Sequence, residues 1–148
     1  MSTPFRLQVP RRFVEEMVAH ARTELPNECV GLLAGRFGEA TAAGGERVGR
    51  VERRYPLVNA AASPREYLSD PKSMFAAMKD MWAHGLDVLA VYHSHPTSAA
   101  VPSRTDLERN YSPEVVNFII SMQGTEPDVR GWWLTDRDHR EAEWDGTD

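Results

Sequence analysis

The sequence has little cysteine, no long apolar run and no surplus of positive charge, and each absence excludes a class of protein. Cys29 is the single cysteine among 148 residues, so neither an internal disulfide nor a cysteine-rich structural zinc site can form. No apolar run approaches the roughly 20 residues that a membrane-spanning helix needs. Residues 1–10 also lack the apolar core of a signal peptide. We therefore expect a cytoplasmic protein that does not engage a membrane.

The charge balance argues against nucleic acid as the main partner. The net charge is -5 at pH 7 and the pI is near 5.5, whereas phosphate binding requires a basic surface. Arg47, Arg50, Arg53 and Arg54 do form a local basic cluster. We interpret that cluster as the solvated edge of a strand.

The length and composition are those of one globular domain. A chain of 148 residues can bury a core without disulfide staples. Hydrophobic residues make up 41% and charged residues 26%, which places the chain among ordinary globular proteins rather than disordered ones. No internal repeat or linker divides the sequence, so we expect a single domain over residues 1–148.

Apolar periodicity predicts strands and helices in mixed order. One helix follows Pro10 and ends before Pro26, and a second begins at Asp70-Pro71 and ends before Gly85. Strands are predicted at 5–9, 29–34, 51–57, 67–68, 86–92 and 115–122, and a closing hairpin at 129–134 and 140–144. A mobile hairpin loop is predicted at Gly35–Gly49 and a short helix at 103–111. Because several strands follow one another directly, we expect an α/β fold with a mixed sheet flanked by helices.

The spacing of apolar residues also predicts which side chains are buried. The first helix should bury Phe13 and Met17, and the strand at 51–57 should place all its odd-numbered side chains on one face. The second helix has a longer apolar stripe, which consists of Met74, Ala77, Met78, Met81 and Trp82. We interpret it as core packing.

The strongest chemical signal is His93-x-His95 at the end of an apolar strand. Side chains two residues apart in a strand point to the same face, so both imidazoles can converge on one point. Asp106 follows eleven residues after His95, within Ser103-x-x-Asp106. Two histidines and one carboxylate leave the fourth position of a tetrahedral zinc site open for water, which is typical of catalytic zinc.

Each part of this pattern also has a purely structural interpretation. A histidine pair at a strand end is often a surface feature, and Ser103-x-x-Asp106 alone suits a helix cap. Asp fits the fourth position of a capping box less well than Glu or Gln, so the cap does not fully explain that pair. Glu28, directly before the buried run Cys29–Ala34, is either a satisfied edge residue or a working acid–base.

Taken in order, these residues resemble a known motif. His93-Ser94-His95-Pro96 followed by Ser103-x-x-Asp106 is similar to the metal motif of the JAMM (MPN+) metalloprotease family. The upstream stretch Asn27–Gly35 (NECVGLLAG) resembles the segment that carries that family's catalytic glutamate. The sequence lacks H-x-E, C-x-x-C and HExxH, which separates it from cytidine deaminases and from helix-borne zinc peptidases.

The resemblance implies a curved mixed sheet similar to that of cytidine deaminases, and zinc as cofactor. His93, His95 and Asp106 would be the zinc ligands. Glu28 would act as general base and then general acid, and Ser103 would help to stabilise the oxyanion of the tetrahedral intermediate. Over residues 1–148 the chain would form a single JAMM/MPN domain.

The resemblance also implies a substrate class. The family cleaves bonds at the C-terminal tails of ubiquitin and ubiquitin-like proteins, and short prokaryotic members act on ubiquitin-like sulfur-carrier proteins, some by releasing cysteine. The implied function is that of a zinc-dependent peptidase or isopeptidase with a ubiquitin-like or sulfur-carrier protein as substrate. Two alternatives remain: a non-catalytic binding scaffold of the MPN type, and a hydrolase of small peptides.

Overall fold

The computed structural model describes residues 5–38, 47–108, 114–135 and 137–148. The elements in chain order are β1 (Arg6–Pro10), α1 (Arg11–Glu24), β2 (Val30–Phe37), β3 (Val48–Leu57), α2 (Pro71–Ala83), β4 (Asp87–His95), α3 (Arg104–Glu108), β5 (Val116–Ser121), β6 (Asp128–Leu134), β7 (His139–Glu141) and β8 (Trp144–Thr147). Among these described residues, none of the helices has both the length and the apolar character needed to cross a bilayer.

The strands form one mixed sheet in the order β7-β6-β5-β4-β2-β3-β1-β8. β4 and β5 are parallel, as are β1 and β3 and β1 and β8, while the other neighbours are antiparallel. The mixed α/β sheet flanked by helices is therefore confirmed. β2 and β4 lie at its centre, and both of their faces are buried.

The two faces of the sheet support two separate cores. On one face, α1 buries Phe13, Met17 and Ala21, as the helical spacing predicts. On the other face, α2 packs Ala77 and Met81 against β2, β3 and the start of β4. Burial of a large apolar side chain contributes about 1.5–3 kcal/mol, so each helix is fixed mainly by its buried stripe.

α2 begins and ends where the sequence predicts. The Asp70 carboxylate accepts a hydrogen bond from the Ser73 backbone N–H, and Pro71 occupies the first turn. Gly85 adopts φ +63° just after the helix, a conformation that favours glycine. The predicted burial of Trp82 is wrong: the residue is 67% exposed, because only Ala77 and Met81 of the helix face the sheet fully.

A β-bulge in β3 overturns the prediction that its odd-numbered residues share one face. Ala34 pairs with Arg53 but Gly35 pairs with Val51, so Glu52 is the extra residue. The bulge places Val51 in the α1-side core and Leu57 in the α2-side core. A Cβ at Gly35 would collide with the carbonyl group of Arg50, so this close approach of two strands requires glycine.

The region predicted as a mobile loop is partly strand. β2 continues to Phe37 and β3 starts at Val48, and these strands pair antiparallel. Residues 39–46 of the predicted loop lie outside the described residues, as do residues 109–111 of the helix predicted at 103–111. The short strand predicted at 67–68 is absent from this described segment, where an isolated bridge joins Asn59 to Ser69 instead.

The C-terminal strands divide between the two edges of the sheet. β6 and β7 form the expected hairpin, but Trp144 does not belong to it, which corrects that part of the prediction. Trp144 starts β8, which runs parallel to β1 at the opposite edge, and its ring packs edge-on against Phe118. The apolar core of the α1 face therefore determines where this strand lies.

β1 pairs with β3 only along Val48–Arg50, so Arg53 and Arg54 lie where β3 pairs with β2 alone. Arg53 bonds Asp80 of α2, whereas Arg54 reaches Glu16 of α1. These two arginines thus link the sheet to a helix on each side.

Candidate metal centre

The end of β4 presents its two histidines on the α2 side of the sheet. His93 and His95 follow Val91, which packs in the α2-side core, and the period of two keeps all three on one face. The His95 Nδ1–H donates to the Ala99 carbonyl at 2.8 Å when Nε2 carries the lone pair. That hydrogen bond orients the ring and leaves Nε2 available as a ligand atom.

Asp106 reaches the histidines from the first turn of α3. Its backbone N–H donates to Ser103 Oγ at 3.1 Å, and its carboxylate accepts from the Ser103 backbone N–H at 2.8 Å. The helix-cap interpretation and the metal-ligand interpretation of this pair are therefore compatible. The reciprocal cap fixes the carboxylate where it meets the imidazoles.

Three ligand atoms converge at this point. His95 Nε2 lies 3.0 Å from Asp106 Oδ2 and 3.2 Å from His93 Nε2, and His93 Nε2 lies 3.1 Å from Asp106 Oδ1. Their side chains are only 2–7% exposed. Two imidazole nitrogens and a carboxylate oxygen, all buried and all directed at one another, fit a three-ligand zinc site.

The imidazoles and the carboxylate of the cluster stabilise one another electrostatically. Burial alone would raise the pKa of Asp106, but the His93 charge and hydrogen bonds from both imidazoles and from Ser103 N–H hold it well below its usual range. Burial alone would lower the pKa of His95, but hydrogen bonds to Asp106 and the Ala99 carbonyl raise it. The carboxylate is thus ionised, as a metal ligand must be.

Glu28 lies beside this cluster at the entrance to β2. Val30 pairs with His93 across β2 and β4, so the antiparallel register brings Glu28 opposite His95. Two hydrogen bonds between Cys29 and Ser94 extend that pairing: Cys29 N–H donates to Ser94 Oγ at 2.8 Å, and Ser94 N–H donates to the Cys29 carbonyl at 3.2 Å. The residue predicted as the acid–base is therefore next to the predicted ligands.

The Glu28 carboxyl is a polar group in a buried position. The residue is 3% exposed, and its Oε1 has no hydrogen-bond partner among the residues that the structure describes. Burial is the main cause that raises the pKa of Glu28 to about 8; His95 lowers this pKa, while Asp106 and Glu66 help to raise it. A carboxyl that can hold or release a proton near neutral pH is suited to acid–base work.

Two neighbours of the site were not predicted. The Tyr67 ring stacks on His93 with centroids 4.8 Å apart and 29° between the planes. A cavity of about 300 Å³ also adjoins His93 and Asp106, and its walls are mainly apolar: Val30, Leu32, Leu57, Met74, Met78 and Val91. The periodicity of the sequence marks these apolar residues only as core, so it gives no signal for a cavity.

The remaining histidines and the cysteine lie away from the cluster. His84 is exposed at the end of α2, and His139 begins β7. His20 is partly buried on the α1 face, where its Nδ1 lies 2.7 Å from Tyr92 Oη. Cys29 is a buried core residue, and burial raises the pKa of its thiol to about 11, so it is not an activated thiolate.

Comparisons with known proteins agree with this geometry. Residues 10–135 match the model of a family described as prokaryotic homologues of the JAB domain. A protein of Thermus thermophilus named "Probable TtuB-protein conjugate cleaving protease" is 43% identical over 103 residues, which are 69% of this chain and 62% of that protein. The chain thus spans less than two thirds of the length of this relative.

Two further proteins extend the comparison. The CysO-cysteine peptidase of Mycobacterium tuberculosis is 33% identical over 119 residues, which are 80% of this chain and 75% of that protein. The solution structure of protein DSY2949 from Desulfitobacterium hafniense is 34% identical and superposes with a TM-score of 0.82 over 96% of this chain and 93% of that chain. The similarity therefore extends over nearly the whole fold.

Proposed function

This chain belongs to the family of prokaryotic homologues of the JAB domain, and from that premise we propose that it is a zinc-dependent peptidase. Its substrate would be the C-terminal tail of a ubiquitin-like or sulfur-carrier protein, cut at a peptide or isopeptide bond. The observation that carries the proposal is the buried convergence of His93, His95 and Asp106, with Glu28 opposite His95. Relatives named as peptidases of such conjugates support the substrate class.

His93, His95 and Asp106 would hold the metal. A bound zinc ion supplies a Lewis acid and lowers the pKa of a coordinated water to about 7. The hydrogen bond from His95 to the Ala99 carbonyl keeps that ring oriented, and the Ser103 cap does the same for the Asp106 carboxylate. Hydrogen bonds to the backbone thus hold two of the three ligand residues, whereas the His93 ring is stacked on Tyr67.

Glu28 would move the proton. As the base, its carboxylate takes a proton from the attacking water, and the new carboxylic acid then gives that proton to the departing amine. The water's oxygen becomes part of the carboxyl product, so hydrolysis balances without another reactant. The raised pKa of Glu28, about 8, supports this double role because neither protonation state is strongly favoured near neutral pH.

Ser103 would stabilise the oxyanion. Its Oγ accepts a hydrogen bond from the Asp106 backbone N–H, which leaves the hydroxyl proton free to donate towards the developing charge. Removal of one such donor costs about 2.7–4 kcal/mol in other hydrolases. Ser103 is therefore proposed as a catalytic residue as well as a helix cap.

An extended tail would suit the surroundings of the site. The apolar cavity adjoins His93 and Asp106 and can bury the apolar part of a substrate while the scissile bond lies at the ligands. Tails that end in small residues can approach a buried centre of this kind closely. Relatives include a cysteine-releasing peptidase and a conjugate-cleaving protease, so both bond types are candidates.

The test combines metal analysis with two substrates. Zinc content would be measured for the wild type, for His95→Ala and for His84→Ala, the last being an exposed histidine outside the cluster. Each protein would then be assayed on a carrier protein bearing a C-terminal cysteine and on an isopeptide-linked carrier conjugate. We expect one zinc per chain and hydrolysis of at least one substrate for the wild type and His84→Ala, and neither property for His95→Ala.

Either of two results would contradict the proposal. Zinc binding without hydrolysis of any carrier substrate would remove the assigned substrate class. A wild type that takes up no zinc from a zinc-supplemented buffer would instead indicate a non-catalytic binding role. Comparison of the two substrates decides between cysteine release and isopeptide cleavage.

A further inference from the structure

The segment between β3 and α2 is organised around the side-chain amide of Asn59. Its Oδ1 accepts hydrogen bonds from the backbone N–H groups of Ala61 and Leu68, both at 3.0 Å. Its Nδ2 donates to the carbonyl groups of Glu28 at 3.0 Å and Glu66 at 3.2 Å. One side chain thus joins four peptide groups, and one of them belongs to the proposed acid–base residue.

The partners determine which way round the amide lies. Both groups near Oδ1 are N–H donors, and both groups near Nδ2 are carbonyl acceptors. A flipped amide would therefore place its NH₂ group against two donors and its oxygen against two acceptors. The acceptor task of the Asn59 oxygen therefore closes the segment on itself, while the donor task of the nitrogen adds a contact to Glu66 and connects the segment to Glu28. These two tasks are carried by different atoms and can be separated by a single substitution.

The backbone of Glu28 is held on both sides by this segment. Its N–H donates to the Ser63 carbonyl at 2.8 Å, and its carbonyl accepts from Asn59. The N–H of the same peptide group, that of Cys29, donates to Ser94 Oγ, and the Cys29 carbonyl accepts from the Ser94 N–H. With both flanking peptides fixed, the Cα–Cβ direction of Glu28 relative to His93 and His95 is fixed as well.

The same segment reaches the other side of the site. Tyr67, whose ring stacks on His93, lies between Glu66 and Leu68, which are both bonded to Asn59. The Glu66 charge also raises the pKa of Glu28. Asn59 therefore contacts the peptide of the acid–base residue Glu28 and also the peptides on both sides of Tyr67, whose ring stacks on His93.

We propose that Asn59 is a positioning residue that acts through Glu28, holding its peptide so that the carboxyl faces the metal ligands. The proposal rests on the function proposed above for Glu28. Asn59 touches neither the ligand atoms nor the cavity described here, so it is not itself catalytic. Misplacement of a catalytic group by a small distance can cost about 100-fold in rate, which sets the scale of the expected effect.

Asn59→Asp separates the two tasks of the amide. The carboxylate can still accept from Ala61 and Leu68, so the segment stays closed, but it cannot donate to the Glu28 and Glu66 carbonyls. Ser73→Ala is the matched control: Ser73 Oγ accepts from the Val58 N–H at 3.2 Å and so secures the same segment from its other side without touching Glu28. Zinc content, kcat and KM would be measured for both variants and for the wild type.

We expect kcat to fall by about 10- to 100-fold in Asn59→Asp, with KM and zinc content unchanged, while Ser73→Ala keeps a kcat within about twofold of the wild type. In a Glu28→Gln background, Asn59→Asp should change the residual rate by less than about twofold, because the group that it positions is already disabled. Equal losses in Asn59→Asp and Ser73→Ala would overturn the proposal, as would a normal kcat in Asn59→Asp.

Hydrogen exchange supplies a readout that is independent of activity. In metal-free protein, the Cys29 amide, which shares one peptide group with the Glu28 carbonyl, should exchange at least about tenfold faster in Asn59→Asp than in Ser73→Ala or the wild type, because a freed peptide opens more often. Unchanged exchange of the Cys29 amide would refute the positioning role even in an active enzyme. If the wild type hydrolysed none of the carrier substrates, the proposed function would fail, and this exchange comparison would still decide whether Asn59 holds the peptide.

Discussion

The end of β4 places two very different environments on opposite faces of one strand. Tyr92 and Ser94 point to the α1 face, where Tyr92 belongs to a closed core and Ser94 is bonded to the Cys29 backbone. His93 and His95 point to the α2 face, where they meet Asp106 and border a cavity. The alternation of side chains along residues 92–95 thus places two structural residues on one face of the sheet and two candidate metal ligands on the other.

The difference lies in how the polar groups are satisfied. On the α1 face, Arg54 donates to Tyr92 Oη at 2.9 Å, which leaves the phenol proton for His20 Nδ1, and Arg54 also pairs with Glu16. Burial and the Arg54 charge lower the pKa of His20, in keeping with a neutral acceptor ring. This network is complete, whereas on the α2 face Glu28 Oε1 and His93 Nδ1 have no hydrogen-bond partner among the described residues. Trp133 Nε1 in the α1-side core also lacks a partner among the described residues. Glu28 Oε1 and His93 Nδ1 differ from it because they belong to the proposed acid–base residue and to a ligand residue, so they indicate where a ligand would bind.

The largest expected effect is the loss of the acid–base on the α2 face. Glu28→Gln keeps the size and burial of the side chain but removes the proton-carrying group, so we expect kcat to fall by about 10²- to 10⁴-fold with zinc content unchanged. Steady-state kinetics on a cleavable carrier would measure the loss. Glu24→Gln is the control, because Glu24 lies at the end of α1 and contacts His20. Wild-type activity in Glu28→Gln would disprove the assigned mechanism.

A smaller effect, on stability and not on rate, is expected from the α1 face. Tyr92→Phe removes the hydroxyl that bonds His20 and Arg54, and the partners left behind are partly buried. We expect the free energy of unfolding to drop by about 1–3 kcal/mol, with zinc content and kcat close to the wild type. Urea unfolding and the carrier assay would measure the two quantities. A large loss of kcat at unchanged stability would show that the two faces are coupled.

Much of this comparison could be predicted from the sequence, because period-two alternation and motif spacing are local. His93 and His95 had to share a face once β4 was a strand, and Asp106 followed at a distance that a loop and a helical turn can span. The helical spacing of Phe13 and Met17 likewise predicted which face of α1 is buried.

Other features could not be predicted because they depend on strands that are distant in sequence. The bulge at Glu52 arises where Gly35 must pass close to Arg50, and nothing in the local pattern of β3 marks it. Trp144 joins β1 because an apolar core is available there, although its sequence neighbours suggested a hairpin.

The residues that surround the ligands and Glu28 could not be predicted for the same reason. The sequence predicted Tyr67 only as part of a short strand and gave no signal for Asn59, since the roles of both residues depend on contacts with His93 and Glu28 in other elements. A polar residue in a turn usually bonds its own backbone, and Asn59 does so. Its contact with Glu28 is visible only once β2 is placed beside that turn.

The last expected effect is a pH dependence of stability that arises from Glu28 on the α2 face. In the folded protein the pKa of Glu28 is raised from 4.5 to about 8, so between those values the folded state binds more protons than the unfolded state. The stabilisation relative to the ionised form is present below pH 4.5 and is lost as the pH rises through 8.

Metal-free wild type should therefore lose stability over this window relative to Glu28→Gln, which cannot titrate there. Urea unfolding at several pH values between 4.5 and 8 measures the slopes. If wild type and Glu28→Gln changed in parallel with pH, Glu28 would not be the buried proton carrier, and the chemical difference between the two faces would need another source.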